Sequence, residues 1–96
     1  MKIDIDEYAE NAVLLTGLGG AIIGIVEEFG NGPRILYSKS KIIEILCEQD
    51  SMDESEANEF YEFNILGLHA GEQNAVFLDL PIKPIKTNNG WDYELE

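Results

Sequence analysis

The first clear pattern along the chain is two apolar runs separated by a glycine-rich cluster. Residues 21–28 are mostly β-branched and apolar, and the turn-forming cluster Gly30-Asn31-Gly32-Pro33 follows them. Residues 34–38 then alternate, with Ile35 and Tyr37 on one side of an extended chain. Alternation on both sides of a turn-forming cluster is typical of a β-hairpin. We therefore predict strands at about 21–28 and 34–38, with a turn at 30–33.

A helix is predicted directly after this hairpin, starting at Ser38 or Ser40. Its apolar residues recur one, four and five positions after the first, which places them in one helical stripe. That stripe consists of Ile42, Ile43, Leu46 and Cys47.

A second helix has a stronger start signal. Asp53 and Glu56 have the spacing of a capping box, in which each side chain bonds a backbone N–H of the other residue. Gly67 or Gly71 would end this helix. The period of 3.6 residues predicts an inner face made of Ala57, Phe60, Tyr61, Asn64 and Ile65.

A short apolar segment, 74–80, predicts a third strand that ends at Pro81. The expected fold class is α+β: a small antiparallel sheet, made of the hairpin and this later strand, covered by a two-helix hairpin. Ninety-six residues fit a single domain. Residues 1–11 and 83–96 are expected to be irregular arms of that domain. At this size the stability margin is thin, so a homo-oligomer is compatible with the chain.

Charge sets the chain apart from an average domain. Six Lys and Arg face nineteen Asp and Glu, for a net charge of −13. Because nucleic-acid affinity depends on cations that displace counterions, such a chain is repelled by DNA, RNA and anionic lipid. We expect no direct nucleic-acid or membrane binding. Residues 1–20 lack the layout of a signal peptide, so a cytoplasmic location is expected.

The acidic residues are concentrated in one part of the chain. No Lys or Arg lies between Lys41 and Lys83, whereas seven acids fall between Glu48 and Glu62. Like charges one helical turn apart destabilise a helix, so this arrangement favours a surface that meets a basic partner. A solvated face without a partner is the alternative. The candidate partner-binding residues are Glu48, Asp50, Glu54, Glu59 and Glu62.

The segment Glu56–Gly67 has the form E-A-x-E-[FY]-x-E-F-N-[IV]-x-G, and Gly71-Glu72 and a short apolar strand follow it. In this it resembles a class of small accessory proteins of tailed bacteriophages, over about residues 19–80. The resemblance implies a viral protein acting in the bacterial host cytoplasm. It implies no catalytic residue.

Enzymatic and metal-dependent chemistry finds little support in the sequence. The Gly17-Leu18-Gly19-Gly20 cluster lacks the Lys and Ser/Thr of a phosphate-binding loop and the third glycine of a dinucleotide loop, so a turn is the better interpretation. One histidine, His69, and one cysteine, Cys47, make a poor set of zinc ligands or nucleophiles. We predict no enzyme, no cofactor and no metal site.

Three functions remain open. The first is a protein–protein interaction through the acidic helices, with inhibition of a host nucleic-acid-binding or defence protein as one form of it. The second is binding or sequestration of a small ligand such as a nucleotide, with Arg34, Tyr37 and Asn64 as its contacts. The third is a minor virion or assembly component.

Overall fold

The computed structural model of the protein describes residues 1–68 and 73–96, and it confirms an α+β fold. A three-stranded sheet and a separate two-stranded sheet are combined with helices. In chain order the elements are helix α1 (Ile5–Tyr8), a 3₁₀ turn (Gly19–Ala21), strands β1 (Ile22–Glu28) and β2 (Asn31–Ser38), helices α2 (Lys39–Gln49) and α3 (Glu54–Phe60), a π-helical segment (Tyr61–Leu66), and strands β3 (Val76–Leu78), β4 (Ile82–Thr87) and β5 (Gly90–Leu95).

The predicted hairpin is confirmed, with a tighter turn than expected. Strands β1 and β2 pair antiparallel, and Ile25 lies opposite Ile35. The chain reverses at Phe29 and Gly30, and the φ of +85° at Gly30 is a conformation that glycine adopts without steric cost. Strand β2 therefore begins at Asn31, three residues before the predicted start.

Strand β3 joins the hairpin in an orientation that differs from the prediction. It pairs parallel to β2, with Phe77 opposite Tyr37, rather than extending an antiparallel sheet. Parallel neighbours need a long crossover connection, and the chain from α2 through the π-helical segment supplies it. The strand order is β1-β2-β3.

Helix α2 begins where the sequence predicts. The Ser38 hydroxyl accepts a hydrogen bond from the Lys41 N–H at 3.3 Å, so Ser38 is the N-cap residue. Ile42 and Leu46 are buried, while the other two members of the predicted stripe are half-buried. The predicted apolar stripe is thus confirmed.

Helix α3 has the predicted capping box, but its continuation is not an α-helix. Asp53 Oδ1 accepts from the Glu56 N–H at 2.8 Å, and the Glu56 side chain accepts from the Asp53 N–H. From Tyr61 the backbone is π-helical, with more residues per turn than an α-helix. The helical segment ends at Leu66, next to Gly67. Gly71 and Glu72 lie outside the described residues.

The π-helical segment changes which side chains face the core. Ala57, Tyr61 and Ile65 are buried as predicted. Phe60 and Asn64, which a period of 3.6 placed on the same inner face, are exposed instead. Because each residue of a π-helix advances by a smaller angle, Ile65 returns to the line of Tyr61, and its neighbour Asn64 is turned towards solvent.

Three aromatic rings tie the helices to the sheet. Phe77 stacks on Tyr37, with ring centroids 6.0 Å apart, and meets Tyr61 edge-on at 5.6 Å. Tyr37 and Tyr61 are buried. Such pairs add about 0.5–1.5 kcal/mol to the free energy of area burial. The core therefore lies between β2, β3 and the helical face that carries Tyr61.

The two ends of the chain are more regular than predicted. Residues 1–11 include the short helix α1, which Asp4 caps by accepting from the Asp6 N–H at 3.0 Å. Residues 83–96 were expected to be an irregular arm, and this is wrong. They form most of an antiparallel hairpin of β4 and β5, which begins at Ile82. A single domain over 1–96 stays a prediction.

Candidate functional site

The acidic residues of α2, α3 and their connection lie on the outside of the protein. The name acidic surface is used below for eight exposed residues: Glu44, Glu48, Asp50, Asp53, Glu54, Glu56, Glu59 and Glu62. All five predicted partner-binding residues belong to it. The helices place them there because their other faces carry the buried residues of the core.

No member of the acidic surface forms an ion pair within the described residues. The two ion pairs found there join Arg34 to Glu28 at 2.7 Å and Lys39 to Asp79 at 3.4 Å, and neither includes a member of the acidic surface. Its negative charge is therefore directed to solvent. Such a surface attracts a basic partner over a distance set by the salt concentration.

Two phenylalanines lie among these acids. Phe60 is 37% exposed, although the helical period had placed it on the inner face, and Phe63 is 74% exposed. Both contribute to a shallow groove of about 350 Å³, which Glu56 and Glu59 border on the acidic side. This apolar patch was not predicted from the sequence, although Phe63 lies two residues after the buried Tyr61 and therefore faces away from the core.

A second cavity lies beside the groove and shares Phe60 and Asn64 with it. It has a volume of about 380 Å³ and separates the Gly17 loop from α2 and the π-helical segment. Apolar side chains form much of its wall, and polar groups of four residues reach it. Its lining consists of Leu15, Thr16, Gly17, Leu18, Ile45, Leu46, Gln49, Asp50, Phe60, Asn64 and Ile65.

The predicted acidic residues do not all share one groove. Glu59 borders the groove with Phe63, and Asp50 lines the neighbouring cavity. Glu54 lines a different depression, beside Lys39 and Asp79. Glu48 and Glu62 are exposed but line none of these three hollows. Of the five predicted residues, Glu59 is thus the one that lines a groove together with Phe60 and Phe63.

The three residues predicted to contact a small ligand are not brought together. Tyr37 is fully buried, and its hydroxyl accepts a hydrogen bond from the Leu15 N–H at 2.9 Å. Arg34 donates to Glu28 at 2.7 Å and to the Asn74 carbonyl at 2.8 Å. Only Asn64 reaches the 380 Å³ cavity. Within one chain these three residues do not line a common cavity, and a ligand site built from them stays a prediction.

The ion pair of Arg34 has a measurable electrostatic consequence. Hydrogen bonds from the side chains of Arg34 and Asn31 hold the pKa of Glu28 below its ordinary value of 4.5. These bonds stabilise the ionised carboxylate, so Glu28 stays charged at neutral pH. The guanidinium of Arg34 is thus bonded to Glu28 of β1 and to the Asn74 carbonyl, so its contacts lie within the fold.

The described residues carry neither a cluster of metal ligands nor a helix that could span a membrane. Within residues 1–68 and 73–96, no group of three or more His, Cys, Asp or Glu residues is arranged to hold a metal ion. Cys47 is a half-buried free thiol in α2, whereas His69 lies outside the described residues. None of the described helices has the length and apolar character needed to cross a membrane.

The C-terminal hairpin presents an exposed apolar face that the sequence analysis missed. Trp91 is 55% exposed, and the Lys86 ammonium lies 4.8 Å from the centre of its ring. Three other large apolar side chains of the hairpin are also exposed: Ile82, Tyr93 and Leu95. The Asn88-Asn89-Gly90 turn between two alternating stretches was a usable signal, which Pro81 and Pro84 obscured.

Comparison with known proteins identified no relative of this chain. No protein-family model matches the chain, and neither the curated proteins nor the solved structures contain a significant match.

Proposed function

We propose that the protein is a non-enzymatic interaction module that binds a basic partner protein through its acidic surface. The observation that carries this proposal is the position of Phe63, exposed beside a groove bordered by Glu56 and Glu59, on a surface without internal counter-ions in the described residues. In protein interfaces, a few aromatic anchors that the partner buries carry most of the binding energy.

The acids and the aromatic group have separate roles in this proposal. Glu59 and Glu62 attract and orient the partner, which raises the association rate and makes it dependent on salt. Phe63 is buried by the partner and slows dissociation. Glu48, Asp50 and Glu54 extend the negative field on either side.

The resemblance of Glu56–Gly67 to phage accessory proteins directs the search for a partner. We propose a bacterial protein whose basic patch ordinarily meets nucleic acid, such as a nuclease, a defence protein or a transcription protein. The module would compete for that patch because it presents negative charge of the same kind. Its site of action would be the bacterial cytoplasm.

The test starts with capture from bacterial lysate and identification of the bound proteins by mass spectrometry. Association and dissociation rates of each candidate are then measured at 0.1 M and 1 M salt, where the Debye length is about 10 Å and about 3 Å. We expect the double variant Glu59→Gln/Glu62→Gln to slow association and to weaken its salt dependence. Phe63→Ala should raise the dissociation rate about tenfold or more.

A matched control removes the same charge elsewhere. Glu7→Gln/Glu27→Gln changes two exposed acids far along the chain from the acidic surface and should leave both rates within about twofold. Equal losses in the two double variants would mean that only net charge matters. An affinity that is the same at both salt concentrations would refute the proposal.

Small-molecule binding is a second candidate, favoured by the 380 Å³ cavity between the Gly17 loop and α2. Among the residues that the structure describes, Asp50 is the one charged group in its lining, and none of them contributes a Lys or Arg to it. A neutral or cationic ligand with an apolar body fits this lining better than a nucleotide. A thermal-shift screen would distinguish the two ligand classes, and Asp50→Asn should weaken only cationic hits.

A further inference from the structure

Strands β4 and β5 form a sheet with no third strand in the described part of the chain. Within residues 1–68 and 73–96, no hydrogen bond joins 81–96 to the rest of the protein. A hairpin of two strands is at best marginally stable in water, and a third strand or a packed face is needed to stabilise it. A third strand would therefore stabilise this hairpin, and no described strand occupies either of its edges.

The register shows which backbone groups are available for that strand. The Glu96 N–H donates to the Pro81 carbonyl at 3.0 Å, and Thr87 lies opposite Gly90 across the two-residue turn. In an antiparallel ladder, hydrogen-bonded and non-hydrogen-bonded pairs alternate. It follows that Gly90, Asp92 and Glu94 bond inward to β4, while the N–H and C=O groups of Trp91, Tyr93 and Leu95 point away from it.

The two outer edges of the hairpin are not equivalent. On β4, the residue at the centre of the outer edge is Pro84, which has no N–H to donate. On β5, the outward groups belong to Trp91, Tyr93 and Leu95, all of which retain donor and acceptor. Proline blocks strand addition at an edge, so β5 is the edge that remains open to pairing.

The side chains along β5 alternate in character. Residues paired across the hairpin share a face, so Trp91, Tyr93 and Leu95 lie on the face that also carries Ile82 and Pro84. Asp92 and Glu94 lie on the opposite face, where Lys83 is the cross-strand neighbour of Glu94, and neither acid forms an ion pair with a described residue. A strand added to this edge would therefore meet apolar and acidic positions in turn.

We propose that the open edge of β5 binds an extended segment of a partner protein, in which apolar residues alternate with Lys or Arg. The backbone of that segment would pair antiparallel with β5, which is slightly the more stable orientation. Its apolar residues cover Trp91, Tyr93 and Leu95, and its basic residues lie beside Asp92 and Glu94. This site is separate from the acidic surface of the helices.

A second copy of the chain is the competing occupant, and charge disfavours it. In symmetric antiparallel pairing centred on Tyr93, Asp92 of each copy lies opposite Glu94 of the other copy, which gives two pairs of like charges. Centred on Asp92, the two copies of Asp92 lie opposite each other. Like charges directly opposite are destabilising in a sheet, and each chain carries a net charge of −13. A strand with Lys or Arg at these positions would replace the opposed acids with attractive pairs, and it would not add a second net charge of −13.

The experiment uses the full chain and a short capped peptide in which valine alternates with lysine. Trp91 is the only tryptophan, so its fluorescence reports binding at the hairpin directly. We expect a saturable change, together with slower hydrogen exchange at the Trp91, Tyr93 and Leu95 amides. N-methylation at the valines, whose N–H groups would face β5, should abolish binding, while the same modification at the lysines should preserve it.

Protein variants separate this site from the proposed function. Asp92→Asn/Glu94→Gln should weaken peptide binding about 2- to 30-fold, as expected for two cross-strand charge pairs. Glu59→Gln/Glu62→Gln should leave it unchanged. The inference is overturned if the peptide fails to bind, if valine N-methylation has no effect, or if the three outward amides are already protected in a dimer of the free protein.

Discussion

The hydroxyl of Tyr37 connects the loop before β1 to the centre of the core, and its removal is a direct test of the fold. It accepts a hydrogen bond from the Leu15 N–H at 2.9 Å, and its ring is fully buried against Phe77. The substitution Tyr37→Phe retains the ring and its packing while deleting this one acceptor. A change in stability would therefore measure the hydroxyl group.

The expected cost follows from the surroundings of Leu15. An unpaired buried N–H costs about 1–3 kcal/mol. Leu15 is half-buried, so water partly replaces the lost acceptor, and we expect about 1–2 kcal/mol. For a chain of this size, 1 kcal/mol corresponds to about 4–8 °C in Tm. Tyr37→Phe should lower Tm by about 5–15 °C.

Thermal unfolding followed by far-UV circular dichroism measures this difference. Tyr93→Phe is the matched control, because Tyr93 is 64% exposed and its ring lies on the open face of the C-terminal hairpin. The control should change the free energy of unfolding by less than about 0.5 kcal/mol. If the two variants have the same Tm, the hydrogen bond to Leu15 contributes nothing and the reasoning is refuted.

Three further predictions concern caps and titrating groups. Asp53→Ala removes the capping box of α3 and should lower the free energy of unfolding, measured with urea, by about 1 kcal/mol. The control Asp6→Ala, at another exposed acid, should change it little. The lowered pKa of Glu28 stabilises the folded state at neutral pH, and this stability is lost as pH falls through the folded pKa. Glu28→Gln should therefore flatten the acid dependence, whereas Glu27→Gln should not. Burial, and then the charges of Asp79 and Glu62, raise the pKa of Tyr61 above its ordinary 10.0. The free energy of unfolding should therefore fall as pH rises beyond that value. Tyr61→Phe should lose less of it over the same pH range in reversible unfolding measurements.

Elements governed by local chemistry could be predicted from the sequence. Ser38 and Asp53 start helices because their side chains bond backbone groups three residues away, which requires no tertiary contact. The β1–β2 hairpin follows from alternation around a glycine turn. The exposure of the acids from Glu44 to Glu62 was also predictable, since charged groups without partners stay in water.

Features that depend on contacts between distant segments were decided only by the tertiary structure. Strand β3 is three residues long, and its parallel pairing depends on where the helical crossover returns it beside Tyr37. The π-helical turn keeps Tyr61 and Ile65 in the core and leaves Asn64 exposed, whereas a regular helix would have placed Asn64 on the same inner face. No local signal in the sequence indicates that extra residue per turn.

The acidity of this protein is therefore a property of its sequence, while the surface that could use it is a property of its fold. Net charge and its concentration in one segment depend on composition and order alone. The juxtaposition of Phe63 with Glu59, and of Trp91 and Tyr93 along an open strand edge, depends on helix period and strand register. Those are set by packing across the whole chain, because burial of the core decides which side of each element is left for solvent.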